Sequence, residues 1–118
     1  MYKKLEIWND SIKLIKDIYR VTENLPKSEE FNLKNQIKRA VVSVALNIAE
    51  GKNRQSAKDF AQFLNISIAS LGEVDACIEI CKELNYLYAV DDIQNDCKKL
   101  IKRINALKKS ITKEHSNE

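Results

Sequence analysis

Glycine and proline are almost missing from this chain, at two and one in 118 residues. Hairpins, bulges and flexible linkers draw on those residues, so a sheet-rich fold has little to be built from. The three cysteines are an odd number, and no apolar leader follows Met1. Both points argue against a disulfide-built secreted domain. No stretch approaches the roughly 18 consecutive apolar residues that a membrane span needs. A phosphate-cradling glycine loop is absent too, and His115, the single histidine, sits near the C-terminus. What remains is an all-α, cytoplasmic protein of one domain, long enough for one core and too short for two.

Four helical segments fit between the available breakers. The first runs from Leu5 to Asn24, with Leu5, Trp8, Ile12, Ile15 and Tyr19 on one face and Leu14, Ile18 and Val21 on a neighbouring stripe. Pro26 ends it. Ser28 offers an N-cap for the second helix, with Glu29 and Glu30 in its first turn and a core stripe of Phe31, Leu33, Ile37, Val41, Val44 and Ile48. Gly51 suits a left-handed C-cap for that helix. Ser56 followed by Asp59 resembles a capping box. The third helix then carries Phe60, Phe63, Leu64, Leu71, Val74, Ile78 and Cys81 to Leu84. Asp91 or Asp92 caps the fourth, whose stripe is Ile93, Cys97, Leu100, Ile104, Leu107 and Ile111 in a heptad-like spacing. Short links between long helices predict an antiparallel up-down-up-down four-helix bundle over residues 1–112, with 113–118 a frayed polar tail. The first and second helices are apolar over a wider arc than one core requires, which suggests self-association.

Chemistry-bearing residues are sparse. Cys77 and Cys81 are four apart on the core stripe of the third helix, and Cys97 lies on that of the fourth, so all three read as buried thiols. Ser43, Asn47 and Glu50 form a polar line on an otherwise apolar second helix, extended by Gln36. Ser70 and Glu73 form a shorter line on the third. Facing carboxylates can hold a di-metal centre, but such centres use Glu-x-x-His pairs, and here the third residues on are Asn53 and Ala76. The reading is therefore no metal, no cofactor and no catalytic residue. In its place stands a buried hydrogen-bond network of Arg39, Ser43, Asn47, Glu50, Ser70 and Glu73 that sets helix register.

Charge is uneven although the net is only +3. From Ile93 to Lys113 there are seven basic residues against one acid. Lys98, Lys99, Lys102, Arg103, Lys108 and Lys109, with Lys38 and Arg54 elsewhere, are candidates for phosphate contacts with RNA or DNA. The same lysines could equally be a solvated helix face. No aromatics are interleaved with them, so stacking-based single-strand recognition is unsupported.

The run Asn47-Ile48-Ala49-Glu50-Gly51 carries a resemblance, together with Leu5, Trp8, Tyr19, Gln36, Arg39, Ala40, Ser43, Arg54, Ser56, Phe60, Phe63, Leu64, Ser70 and Glu73. Over Tyr2 to Leu87 the pattern resembles the small bacterial four-helix-bundle proteins encoded in intervening sequences of 23S rRNA genes, related to the accessory proteins of diversity-generating retroelements. The family often has Pro where this chain has Ala45, and Gly where it has Ala69, so detailed packing and ring geometry are expected to differ. The resemblance implies a homo-oligomer, often a pentamer, with no known enzymatic activity. In the retroelement relatives a basic surface binds nucleic acid and a partner reverse transcriptase. The resulting expectation is a non-enzymatic, self-assembling bundle, pentameric, with a basic surface for weak sequence-independent nucleic-acid binding. The alternatives are a protein-interaction scaffold and, more remotely, a metal-dependent enzyme using the carboxylates.

Overall fold

The computed structural model describes the backbone of residues 1–116 and the side chains through Lys113. After a short 3-10 turn at Tyr2–Lys4, it consists of α1 (Glu6–Thr22), a second 3-10 turn (Lys27–Glu29), α2 (Leu33–Lys52), α3 (Ala57–Glu83) and α4 (Asp91–Ser116). Contacts between helices fix the topology. Glu23 lies near Lys34 and Tyr19 under Lys38, so α1 and α2 are antiparallel. Ser43 meets Ser70 while Gln36 meets Glu73, which makes α2 and α3 antiparallel. Lys82 reaches Asp91 and Asn65 reaches Lys108 across α3 and α4, and Asp10 reaches Arg103 across α1 and α4. The four helices therefore sit at the corners of an up-down-up-down bundle in the order α1, α2, α3, α4. The diagonal pair α2 and α4 bring no described Cα atoms within 8 Å of each other.

The core stripes of α3 and α4 lie where their spacing places them, with Leu64, Leu71, Val74, Ile78, Cys81, Cys97 and Ile104 fully or almost fully buried. Ser56 caps α3, accepting a hydrogen bond from the Asp59 N–H at 3.1 Å. On α1 the buried line is Ile7, Ser11, Leu14, Ile18 and Thr22, one step round from the wider apolar face, and Tyr19 is exposed. Two hydroxyls make that possible. Ser11 donates to the Trp8 carbonyl at 2.7 Å and Thr22 to that of Ile18 at 2.8 Å. Each is satisfied within its own helix and so counts as core. A reading of apolar letters alone passes over them.

Two expectations about α2 are corrected. Ser28 does not cap it: Lys27–Glu29 is a separate 3-10 turn, and the helix begins at Leu33. Glu29 is engaged elsewhere, accepting from the Asn32 amide at 2.9 Å and from the Tyr86 hydroxyl at 3.1 Å, which ties the α1–α2 and α3–α4 links together. Phe31 consequently lies outside the helical rotation and is 93 % exposed, while Leu25 and Leu33 fill the core at that end. Nor is Gly51 a left-handed cap. It is buried inside the last turn of α2, and neither glycine has positive φ. The residues with positive φ are Asn85 and Ala89, in the α3–α4 link. At its C-terminal end α4 continues to Ser116, past Thr112. Residues 117 and 118 of the expected tail, and the side chain of His115, lie outside the described residues.

Candidate nucleic-acid interface and the α2–α3 seam

The basic residues of α4 divide by helical geometry. At about 100° per residue, Lys98, Lys102 and Lys109 fall within about 40° of one another and span about 16 Å along the axis. All three are exposed, and none makes an ion pair among the described residues. Lys99 and Arg103 are rotated towards α1. Arg103 is tied there to Asp10 at 2.5 Å, which raises its pKa. Lys99 borders the same groove between α1 and α4, beside Asp10 and Asp96. Lys108 turns the other way and donates to Asn65 on α3 at 2.8 Å. Lys98 stands at the rim of a recess containing Asp75, Glu79 and Asp91. The stripe is therefore narrower than the count of lysines suggests.

Lys38 and Arg54 do not join it. Both belong to the α2 side of the bundle, diagonal to α4. Lys38 sits over the Tyr19 ring at 4.6 Å, and Arg54 pairs with Glu50 at 2.6 Å while lying over Phe63 at 4.7 Å.

The residues expected to form one buried network form separate contacts along the α2–α3 seam. Ser43 and Ser70 hydroxyls meet at 3.0 Å. The Asn47 amide donates to the Ser43 carbonyl at 2.8 Å and to its hydroxyl at 3.0 Å. Glu73 accepts from Gln36 at 3.3 Å, and Glu50 pairs only with Arg54. Glu50 and Glu73 are exposed rather than buried, and Arg39 makes no hydrogen bond or ion pair among the described residues. The reason is rotational: positions 39, 50 and 73 lie outward of the buried lines Ile37-Val41-Val44-Ile48 and Leu71-Val74-Ile78. Because Asn47 bonds within its own turn at a half-buried position, Asn47→Ala should cost only about 0.5–1.5 kcal/mol, measured by urea denaturation. A loss above about 3 kcal/mol would mean that the side chain holds more than its own turn.

The one fully buried cross-link of the seam is Ser67, whose hydroxyl donates to the Val44 carbonyl at 2.8 Å. Sequence reading passed over it, although Phe60, Leu64, Leu71, Val74 and Ile78 bracket Ser67 in a three-four repeat that places it in the core. At the end of the seam Gly51 lets α2 lie against Phe60 and Phe63. A methyl group added there would come within 2.9 Å of Phe60 Cδ1 and of Phe63 Cβ. The Asn47-to-Arg54 motif is thus a helix-pairing device: one side chain bonded to its own turn, one contact glycine, and one Glu–Arg pair stacked on an aromatic ring.

Cys77, Cys81 and Cys97 are free and buried, and burial pushes each thiol up, Cys81 to about 11 and Cys97 to about 12. Among the described residues no group of three or more His, Cys, Asp or Glu could hold a metal ion. Among the described residues no helix is long and apolar enough to cross a membrane.

Against known families, residues 3–109 match the 23S rRNA-intervening sequence protein family. The chain belongs to that family. A solved structure from Bacteroides thetaiotaomicron, a protein of unknown function from the S23 ribosomal protein family, superposes with a TM-score of 0.80. The match has 25 % sequence identity and covers 87 % of this chain and 98 % of that one. None of the curated proteins matches the chain significantly. Membership in the 23S rRNA-intervening sequence family thus extends over all four helices, α4 included to residue 109, beyond the span to Leu87 that carries the motif residues.

Proposed function

We propose that this protein is a non-enzymatic, cytoplasmic, self-assembling bundle, a homopentamer, that contacts RNA or DNA weakly through phosphates. The observation that carries the nucleic-acid reading is the outward stripe of Lys98, Lys102 and Lys109, exposed and without ion pairs among the described residues. Three unpaired ammonium groups in line can replace counterions along a phosphate backbone without reading sequence. The family's own description, which refers to the 23S rRNA intervening sequence, is in keeping with a nucleic-acid context. Buried reduced thiols are in keeping with a reducing compartment.

Salt titration of binding to mixed-sequence RNA tests this reading. Affinity should fall steeply with salt, and replacing Lys98, Lys102 and Lys109 by Gln should lower the slope by roughly one for each phosphate contact removed. Arg103→Gln and Lys108→Gln should change the slope less, since Asp10 holds the one side chain and Asn65 the other at the bundle surface. Binding that ignores salt, or slopes indifferent to the stripe, would sink it.

A second reading is a protein-interaction scaffold whose lysines serve only solubility, with a reverse transcriptase as one candidate partner by family resemblance. Its supporting observation is the exposed apolar side chains at Leu46, Ile66, Ile80, Leu84 and Tyr88. The same titration separates the two, because a scaffold has no salt-dependent RNA affinity to lose.

A further inference from the structure

Exposed charge is segregated along the bundle. Because neighbouring helices are antiparallel, one end of the molecule gathers the start of α1, the link between α2 and α3 and the later turns of α4. Lys3, Lys4, Lys52, Lys58 and Lys109 stand there, all exposed and none in an ion pair among the described residues. The described acids at that end are Glu6, Glu50 and Asp59, and Arg54 already pairs with Glu50. The opposite end, with the other two links, carries Glu23, Glu30, Glu79, Glu83, Asp91 and Asp92, all exposed. Of its bases, Lys34 and Lys82 are tied to those acids. The long axis measures 53 Å against cross-sections of 22 and 20 Å. A Debye length of about 8 Å at physiological salt is far shorter, so each end acts on solutes by itself.

Helix electrostatics does not account for this pattern. A helix N-terminus favours acids and a C-terminus bases, yet Lys3 and Lys4 precede α1, Lys58 lies in the first turn of α3, and Glu79 and Glu83 close that helix. Like charges crowded at one end repel each other, and a polyanion relieves that repulsion. The aromatic rings at the basic end are already covered. Tyr2 meets Trp8 edge to face at 4.7 Å, Lys52 lies over Phe60 at 5.9 Å and Arg54 over Phe63 at 4.7 Å. Unstacked bases would find no open ring among these, so phosphates are what the surface can recognise. We propose that Lys3, Lys4, Lys52, Lys58 and Lys109 form an end-on contact surface for the phosphate backbone of a nucleic-acid duplex. A duplex presents the higher phosphate density, with a salt slope of about 0.9 per contact against about 0.7 for a single strand. The proposal rests on the nucleic-acid reading above and adds where the backbone crosses the bundle. Lys109 joins the α4 stripe to the basic end, and the acidic end repels the strand.

Salt titrations with a mixed-sequence RNA duplex, and with one of its strands alone, test this. The wild type should bind the duplex more tightly than the strand at the same salt. Lys4→Gln, Lys52→Gln and Lys58→Gln together should lower the duplex slope by about two to three. Lys27→Gln, an exposed lysine of the opposite end, should leave it unchanged. If circular dichroism shows the triple variant unfolded, Lys3→Gln with Lys4→Gln replaces it, touching neither α2 nor α3, and should lower the slope by about one to two. A slope that survives the end substitutions overturns the proposal; if it falls only when Lys98 and Lys102 are replaced, the α4 reading stands without it. An equal fall with Lys27→Gln makes the effect one of net charge and overturns the proposal too. Equal or tighter binding of the single strand overturns the assignment to a duplex. Wild-type binding that ignores salt overturns the nucleic-acid reading itself.

Discussion

Replacing Gly51 by Ala should destabilise the protein by about 1–2 kcal/mol, whereas the same change at Gly72 should stabilise it by up to about 1 kcal/mol. Both glycines lie inside helices, where alanine is intrinsically preferred by about 1 kcal/mol. They differ in what surrounds them. A Cβ on Gly72 meets nothing within 4 Å, but one on Gly51 meets Phe60 Cδ1 and Phe63 Cβ at 2.9 Å and the Phe60 carbonyl oxygen at 3.3 Å. Phe63 Cβ is fixed to the α3 backbone and cannot swing aside. The helices cannot part easily either, because the link from α2 to α3 is only the run Asn53–Ser56, and Ser67 holds the Val44 carbonyl farther along. Overpacking of a close contact costs about 1–3 kcal/mol, which outweighs the propensity gain. Thermal melts should show Gly51→Ala roughly 4–10 °C below the wild type and Gly72→Ala at or above it. Equal melting temperatures for the two variants would remove the contact-glycine explanation.

Alkali should unfold this protein through its thiols. An unfolded cysteine here ionises near its ordinary value of 9.0, but in the fold Cys97 is pushed up to about 12 and Cys81 to about 11. Burial is the main cause for both. The charges of Asp75 and Asp96 add to it at Cys97, and Cys77 and Glu29 add to it at Cys81. The sign follows from proton binding. Above about pH 9 the unfolded chain releases these protons while the native chain keeps them, so stability is full below that pH and falls towards pH 11–12. At about 1.4 kcal/mol per unit of pH, each thiol should cost on the order of 2 kcal/mol by about pH 10.5. Tyr86 adds in the same direction, since its hydroxyl donates to Glu29 and its pKa is raised. Urea denaturation between about pH 8 and 10.5 should therefore show a steep loss in the wild type, and a loss shallower by one thiol's share in Cys97→Val. Parallel curves for the two proteins would rule Cys97 out as a source.

The parts of the fold legible in the sequence are those set by local periodicity and by chain breakers. The stripes of α3 and α4 repeat at three and four residues, and burying such stripes against each other is what a bundle core is. The Ser56 cap of α3 is a contact within one turn. The scarcity of glycine and proline excluded a sheet without reference to any contact. The corrected positions depend on groups distant in the chain. Phe31 has an apolar side chain in the right region, yet Glu29 is held by Tyr86 from the far link, and the turn this anchors leaves Phe31 in solvent. Ser11, Thr22 and Ser67 are polar residues that became core because a carbonyl lay within reach.

The candidate site divides in the same way. That α4 is rich in lysine was plain from composition, but lysines on one helix do not form one surface. Asp10 draws Arg103 to α1, Asn65 draws Lys108 to α3, Lys38 belongs to the diagonal helix, and Arg54 to the link that follows it. The sequence by itself determined helix content, core periodicity and excess positive charge on the last helix, because these follow from residue type and a fixed rise and twist per residue. Only the tertiary structure decided which charges are paired, which serines and threonines join the core, and why Gly51 must be glycine. Each of those depends on which atoms of another helix stand within about 4 Å, and residue spacing along one helix does not encode that distance.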